Sequence, residues 1–278
     1  MDHLKKISIS RKSKIWIAIF FFFGIIYFGF PIYWIAISAT KSGQDFNTTN
    51  ALFFGHSFQL FTNIQNLFTA YNGIFLRWMV NSLIYAGGGA VGVAIISAFG
   101  GYALSKLINR GATTLAAITI GLIMVPANTF VLPLLVLFAK VHIAGTMWSV
   151  FLPTLPSPLG IFLVKYYADR QISDETLAAA RLDRASELRI FFTIALPILR
   201  PMIGTVFLIS LIANSNLYFL PQIMLNDPKL YPVTVGIGNW FGGQFAAVGI
   251  FIAMVPLLLA FMAVQRSWEK GLVDGQYR

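Results

Sequence analysis

From Ile15 to Ala39 the chain runs for 25 residues without a charged side chain, as IWIAIFFFFGIIYFGFPIYWIAISA. At about 1.5 Å per residue, a helix of that length outreaches the roughly 30 Å hydrocarbon core of a bilayer. A basic start precedes it, with Lys5, Lys6, Arg11, Lys12 and Lys14. Secretion signals begin the same way, but their apolar region is only about 7–15 residues long, so this segment reads as an anchor that stays in the membrane. Hydrophobic residues make up 57% of the chain and charged ones 11%, and further apolar runs of similar length follow. An integral membrane protein is the only class that fits this pattern.

Apolar runs broken by charge predict an all-α protein of six spans, at about 15–39, 79–105, 113–139, 147–166, 200–222 and 245–265. An even number of spans puts both termini on one side, and the positive-inside rule selects which. With the termini in the cytoplasm, the outer segments hold only Lys41, Arg77, Lys140 and Lys229 of the 20 Lys and Arg residues. The net charge of +10 is therefore mainly a topology signal, and nucleic acid is not expected as a partner. The largest outer segment, about 40–77, should form short helices at the membrane surface, either as a connector or as a contact for an external protein.

Other chemistries are excluded or unsupported. There is no cysteine, which removes disulfides and thiolate metal sites. His3, His56 and His142 lie too far apart to show a metal-ligand spacing, so no metal is expected. The G-x-x-x-x-G-K-[ST] phosphate loop is absent, and no nucleophile sits beside a base, so no catalytic residue is assigned. Gly87-Gly88-Gly89-Ala90-Val91-Gly92 matches a dinucleotide fingerprint but falls inside a span with no strand before it. Gly88 and Gly92 read better as a close-approach surface for a neighbouring helix of the same chain. Pro126 and Pro133 in the third span, and Pro153, Pro156 and Pro158 at the start of the fourth, should bend or interrupt their helices.

Against this apolar background stands ETLAAARLDRASELRIFFTIALP at residues 175–197, which carries six charges between Glu175 and Arg189. At about 2.5–3.5 kcal/mol per charge at a helix centre, those charges cannot lie in the hydrocarbon. Ser173 is a candidate N-cap, with Asp174 and Glu175 in a first turn that favours acids, so a short helix should run to about Leu182. Leu188, Phe191, Phe192, Ala195 and Leu196 then fall on one helical face, with Asp183 as the expected cap and Pro197 and Pro201 ending the pattern. Periodicity alone leaves open whether this helix-break-helix merely seats the next span.

The spacing resembles the cytoplasmic signature of permease subunits in ATP-binding-cassette importers: E-A-A, three residues, G, nine residues, I-x-L-P. Ala178-Ala179-Ala180, Arg184, Ile194, Leu196 and Pro197 fall on that register, and Asp183-Arg184-Ala185-Ser186 stands where the family has D-G-A-S. Leu76-Arg77-Trp78-Met79-Val80-Asn81-Ser82-Leu83, Leu159-Gly160-Ile161-Phe162-Leu163, Leu225-Asn226-Asp227-Pro228 and Lys270-Gly271-Leu272 resemble the maltose-type carbohydrate-uptake branch, in its shorter permease. Two positions depart from the signature: Ala178 replaces the glutamate and Arg184 the glycine. If the bend at Arg184 needs a positive φ, that residue costs about 1–2 kcal/mol there.

The resemblance implies that the whole chain, 1–278, is one permease domain of the prokaryotic cytoplasmic membrane. It would pair with a second, related permease, two ATPase subunits and an extracytoplasmic solute-binding protein. The coupling loop 173–197 would dock an ATPase through Ala178, Ala179, Ala180, Asp183, Arg184, Ala185, Ser186, Leu196 and Pro197, with the tail 266–278 as a second contact. ATP and magnesium would then sit on the ATPase, and this chain would bind no cofactor. Asn214, Ser215, Asn216 and Tyr218 form a polar cluster in the fifth span, read either as interhelical hydrogen bonding or, at Asn214, Asn216 and Tyr218, as lining of a sugar path. The rival readings are import of another polar solute such as a glycerol phosphate, a self-sufficient secondary transporter, and a membrane scaffold without transport activity.

Overall fold

A computed structural model of the chain describes residues 10–108 and 110–274. Lys5 and Lys6 of the basic start, and residues 275–278 of the tail expected as a second docking contact, lie outside that range. Among the described residues all regular structure is helical.

Residues 1–67 and 241–251 form one compact unit. Its first element is α1, Arg11–Thr40, started by Ser10, whose hydroxyl accepts from the Ser13 amide. The apolar stretch is exposed all round, with Phe20, Phe21, Phe22 and Phe23 all pointing away from the protein, as a helix with lipid for its solvent requires. α2, Gly43–Thr48, follows at once, capped by Ser42. α3 is Leu60–Thr69. The turn back onto α1 is made by backbone and side chain together. The Gln59 amide donates to the Thr40 carbonyl at 2.7 Å, and the buried Asn63 amide group donates to the carbonyls of Ala39 and Lys41.

Within this unit the buried Asp45 carboxylate accepts from His56 Nδ1 at 2.8 Å. The His56 imidazole, aided by Ser42, holds the Asp45 carboxyl down to about 2. Because its folded value lies below the ordinary carboxylate value of about 3.9, the contact stabilises α2 fully above that value. The contribution is lost as pH falls from about 4 towards 2. A nitroxide on Thr48→Cys should therefore gain mobility over that interval. His56→Ala should move the onset upward, and a label whose mobility ignores pH below 4 would show that this pair does not hold the segment.

Residues 68–240 and 252–278 form the second unit. Tyr71, Asn72 and Gly73, all with positive φ, break the chain before α4, Ile74–Leu83. A π-helical turn, Ile84–Gly88, joins α4 to α5, Gly89–Tyr102, and a second, Ala103–Leu107, ends the run. α6, Ala112–Ile123, and α7, Val131–Lys140, are bent by 89° at a break containing Pro126. This is the interruption expected from Pro126; Pro133 sits in the first turn of α7, where a missing amide hydrogen is tolerated. α8, Met147–Thr154, gives way at Pro156 to α9, Pro158–Gln171, whose cap Ser157 accepts from the Gly160 amide at 3.0 Å.

Glycines make the α5–α9 and α5–α8 approaches possible. A methyl group at Gly92 would lie 2.4 Å from the Leu155 side chain, and one at Gly101 2.5 Å from Val164. Gly88 likewise meets Phe151. The small-residue row thus packs within one chain, and the apparent dinucleotide fingerprint lies in helix.

The rest of the unit comprises α10, Asp174–Leu182; α11, Glu187–Ile190; α12, Leu196–Ser215; α13, Phe219–Met224; and α14, Val233–Trp240. The last helix, α15, Gly243–Asp274, is shared, with 243–251 belonging to the first unit and the remainder to the second, and its apolar part is Gly243–Leu259. Among the described residues, four helical stretches are long and apolar enough to cross a bilayer: Lys12–Thr40, Leu60–Leu107, Met147–Gln171 and Glu187–Ser215. The bent α6–α7 pair makes a fifth if it is one span.

The predicted fifth span at 200–222 needs correcting. Its helix begins at Glu187 and stops at Ser215, because Pro197 and Pro201 do not interrupt it. Pro197 lies in the first turn of α12, where it costs nothing, and a π-helical turn at Phe191–Ala195 absorbs the mismatch before it.

Candidate functional site

The charged segment folds as a short helix, a break and a second helix that runs on into α12. Ser173 caps α10 as expected, accepting from the Thr176 amide at 3.1 Å, and α10 ends at Leu182. The second cap is Ser186, accepting from the Arg189 amide at 3.3 Å, and not Asp183, which closes α10 instead. Between them Arg184 has φ +58, the left-handed conformation that glycine would adopt without strain. Its amide donates to the Arg181 carbonyl and that of Ala185 to Ala180, closing the end of α10. A non-glycine residue there costs about 1–2 kcal/mol.

Two apolar residues fasten this turn to the protein. Leu177 is 1% exposed and Ile190 0%, and they join Tyr102, Val164, Ala168, Ile172, Phe191 and Leu199 in one core. The expected apolar face is only partly right. Phe191 and Ala195 are buried and Leu196 half-buried, but Leu188 is 66% exposed and Phe192 54%. The π-helical turn shifts the register, and Ile190 takes the buried place that regular periodicity gave to Leu188.

Polar contacts then hold the two limbs at a fixed angle. Arg181 Nε donates to Glu187 Oε1 at 2.7 Å and its Nη2 to Oε2 at 3.3 Å, bridging the break. The hydrogen bond to the Glu187 carboxylate keeps the Arg181 guanidinium above its usual range. Lys106, at the end of the run from α5, donates to Asp174 at 2.7 Å. Neither pair stood out in the sequence; for Arg181–Glu187 the available signal was opposite charge on the two sides of a predicted break, and for Lys106 and Asp174, 68 residues apart, there was none.

Of the residues singled out in advance, Ala178, Ala179, Asp183, Arg184, Ser186 and Pro197 are exposed, and Ala180, Ala185 and Leu196 are half-buried. The structure brings Ala178 to Ser186 together at the turn between α10 and α11, whereas Leu196 and Pro197 lie beyond it, at the start of α12. Leu182, 84% exposed, sits among them unforeseen.

The polar cluster lies at the end of α12 rather than in mid-span. Ser215 and Asn216 donate to their own helix, to the carbonyls of Leu211 and Ile212. Tyr218 is exposed, with its ring against Gly238 of α14. Asn214 differs. Its amide nitrogen is buried against Gly89 and has no hydrogen-bond partner among the described residues. Each of the three proposed path residues thus faces a different neighbour.

Two of the remaining motifs meet each other. One face of α4 and its extension holds the segment 228–233: Trp78 Nε1 donates to the Pro228 carbonyl at 2.8 Å, and Asn81 to the carbonyls of Lys229 and Tyr231. Arg77 reaches the Lys229 carbonyl and Tyr85 that of Leu230, while Ser82 accepts from the Val233 amide. The stretch 76–83 and the Asn-Asp-Pro turn are therefore two halves of one clamp.

Comparison with known proteins agrees with this architecture. Residues 90–273 match the family described as binding-protein-dependent transport system inner membrane component, and the chain belongs to that family. It is a multi-pass transport subunit. Among curated relatives, the arabinooligosaccharides transport system permease protein AraQ of Bacillus subtilis (strain 168) is 24% identical over 281 residues, covering 99% of this chain and 98% of its own length. The melibiose/raffinose/stachyose import permease protein MelC of the same organism is 29% identical over 203 residues, 70% of this chain and 74% of that one. A chain in the crystal structure of a bacterial ABC transporter involved in the import of the acidic polysaccharide alginate superposes with a TM-score of 0.77 at 20% identity. The match covers 93% of this chain and 98% of that one, and shows a shared fold.

Proposed function

We propose that this chain is the permease of an importer that takes up a sugar or oligosaccharide, driven by a separate ATPase that docks on the turn at 173–197. In this reading the whole of 1–278 works as one permease domain of six spans. The bent α6–α7 pair supplies one of them and the apolar part of α15 another. Both termini and the docking turn face the cytoplasm. A second permease completes the path, two ATPase subunits bind ATP and magnesium, and an external binding protein delivers the solute. The chain itself holds no nucleotide.

The observation that carries the reading is the division of labour within the turn. Leu177 and Ile190 are locked into the core, whereas Ala178, Ala179, Leu182, Asp183 and Arg184 are left uncovered on a rigid projection. A segment that only seated the next span would bury its apolar residues against its own protein or lipid; Leu182 stands beside charge instead. The sugar assignment rests on the relatives, whose names specify arabinooligosaccharides and the melibiose, raffinose and stachyose group. The path residues Asn214, Asn216 and Tyr218 belong to the same proposal, and Asn214 Nδ2, which has no partner among the described residues, is the group left to donate to a solute oxygen.

The test is uptake into vesicles. Transport of labelled oligosaccharide should require the ATPase subunit, internal ATP and the external binding protein, and should weaken in Asn214→Ala. Uptake that persists without the ATPase, or labelling of residue 184 from outside intact cells, would defeat the reading.

A further inference from the structure

The first compact unit carries an apolar surface that neither the transport role nor the clamp uses. Phe53, Phe54, Phe58 and Phe61 are each between 61% and 77% exposed, and lie within a few residues of one another after α2. Phe58 and Phe61 are in edge-to-face contact, and so many uncovered aromatic rings in one short segment mark an interaction site.

Its place along α1 is fixed by three hydrogen bonds. The Gln59 amide sits at the Thr40 carbonyl, level with the end of α1. Lys41 Nζ, nearly fully buried, donates to the Asn50 carbonyl at 2.7 Å. Between these points the chain doubles back, for the Tyr33 hydroxyl donates to the Leu52 carbonyl at 2.8 Å. Tyr33 belongs to the apolar body of α1, which puts its backbone about 10 Å before the helix end at 1.5 Å per residue. Residues 50–58 therefore form a hairpin whose tip, Leu52-Phe53-Phe54, descends beside the membrane helix.

The tip's backbone is also furnished for an apolar surrounding. The Leu52 amide donates to Asn50 Oδ1, and the Phe53 amide to the Asn50 carbonyl. The carbonyls of Asn50 and Leu52 are taken by Lys41 and Tyr33. These contacts pair four backbone groups of the tip within the chain, which lowers the cost of taking it out of water. His56 and Asn47, by contrast, are exposed polar residues with no such enclosure.

We infer that residues 50–61 form a membrane wedge, with Phe53 and Phe54 inserted among the acyl chains of the leaflet at the C-terminal end of α1 and Phe58 and Phe61 at its boundary. The occupant is phospholipid, because the tip lies beside the uncovered apolar surface of α1 and Phe58 and Phe61 stand level with the end of that helix. Phenylalanine has no polar tip to hold it at the headgroups, so its rings favour the acyl region. The wedge moors the outer segment and keeps the Asp45–His56 side towards water. This inference needs only that α1 spans the bilayer, and it stands or falls apart from the sugar reading.

Since the chain has no cysteine, single labels can be placed without background. The full chain, with the subunits that co-purify with it, would be reconstituted in phosphatidylethanolamine and phosphatidylglycerol vesicles. Nitroxides would be attached at Phe53→Cys, Phe54→Cys, Phe58→Cys or Phe61→Cys, with Asn47→Cys as the aqueous reference. At the four phenylalanine positions collision with oxygen should exceed collision with a water-soluble nickel chelate several-fold, and the order should reverse at position 47. Adding Tyr33→Phe should bring positions 53 and 54 part of the way towards the reference. Nickel access at 53 and 54 equal to that at 47 overturns the inference. So does protection that appears only when the external binding protein is added, which would make the patch a protein-docking surface.

Discussion

Gly101→Leu should leave almost no folded protein, whereas Gly121→Ala should be tolerated. A Cβ at position 101 would stand 2.5 Å from that of Val164 and 2.8 Å from the Lys165 backbone nitrogen. Neither neighbour is a flexible side-chain end that could swing aside, so α5 and α9 would have to separate. Overpacking a tight core costs about 1–3 kcal/mol, occasionally more, and native proteins have only about 5–15 kcal/mol in total. The displacement would not stay local. α9 leads through Ile172 to Leu177, both buried in the same core as Tyr102 and Ile190. At Gly121, in α6, nothing lies within 4 Å of an added methyl. The yield of monodisperse protein after detergent extraction is the measurement, and equal yields for the two variants would show that the α5–α9 approach has slack.

The contrast between those two glycines shows what a sequence can reveal. Gly88 and Gly92 were recognisable because their spacing is a known helix-contact pattern, and they do receive Phe151 and Leu155. Gly101 carries an equally tight contact but lies in no pattern, since its importance comes from a partner helix about 60 residues away. The capped helix at 174–182 was legible for the opposite reason: Ser173, Asp174 and Glu175 act within one turn. The same reasoning misplaced the second cap and the apolar face, because a π-helical turn at 191–195 breaks the 3.6-residue period on which the prediction relied. Span boundaries failed similarly. Pro197 and Pro201 suggest a break that starts the span near Arg200, whereas the apolar residues begin at Ile190 and the helix at Glu187, with a charged first turn. Of the proposed path residues, the composition of the cluster was visible, but not that Ser215 and Asn216 satisfy themselves on their own helix and leave Asn214 alone.

The combined change Asp183→Trp and Arg184→Leu should release the ATPase and lower uptake by about tenfold or more, equivalent to at least about 1.4 kcal/mol, while leaving the permease folded. Both side chains are exposed, so the new bulk meets only a partner; Leu177 and Ile190, which fasten the turn, are untouched. The energetics favour action through the whole turn. Driving a two-state transporter from 1:99 to 99:1 takes about 5.5 kcal/mol, and a half-exposed ion pair such as Arg181–Glu187 contributes only about 0–1 kcal/mol. Burial of two aliphatic side chains, at about 1.5–3 kcal/mol each, is of the required size. Force applied to the projecting limb would therefore reach α12 and α9 through Leu177 and Ile190, with the ion pair fixing the angle. Arg184→Gly supplies the matching control. It relieves about 1–2 kcal/mol of left-handed strain and removes a side chain without adding bulk, so co-purification with the ATPase should be kept or improved. If the double variant still held the ATPase and still transported, the turn would be a seat for α12 and not the point at which the motor grips.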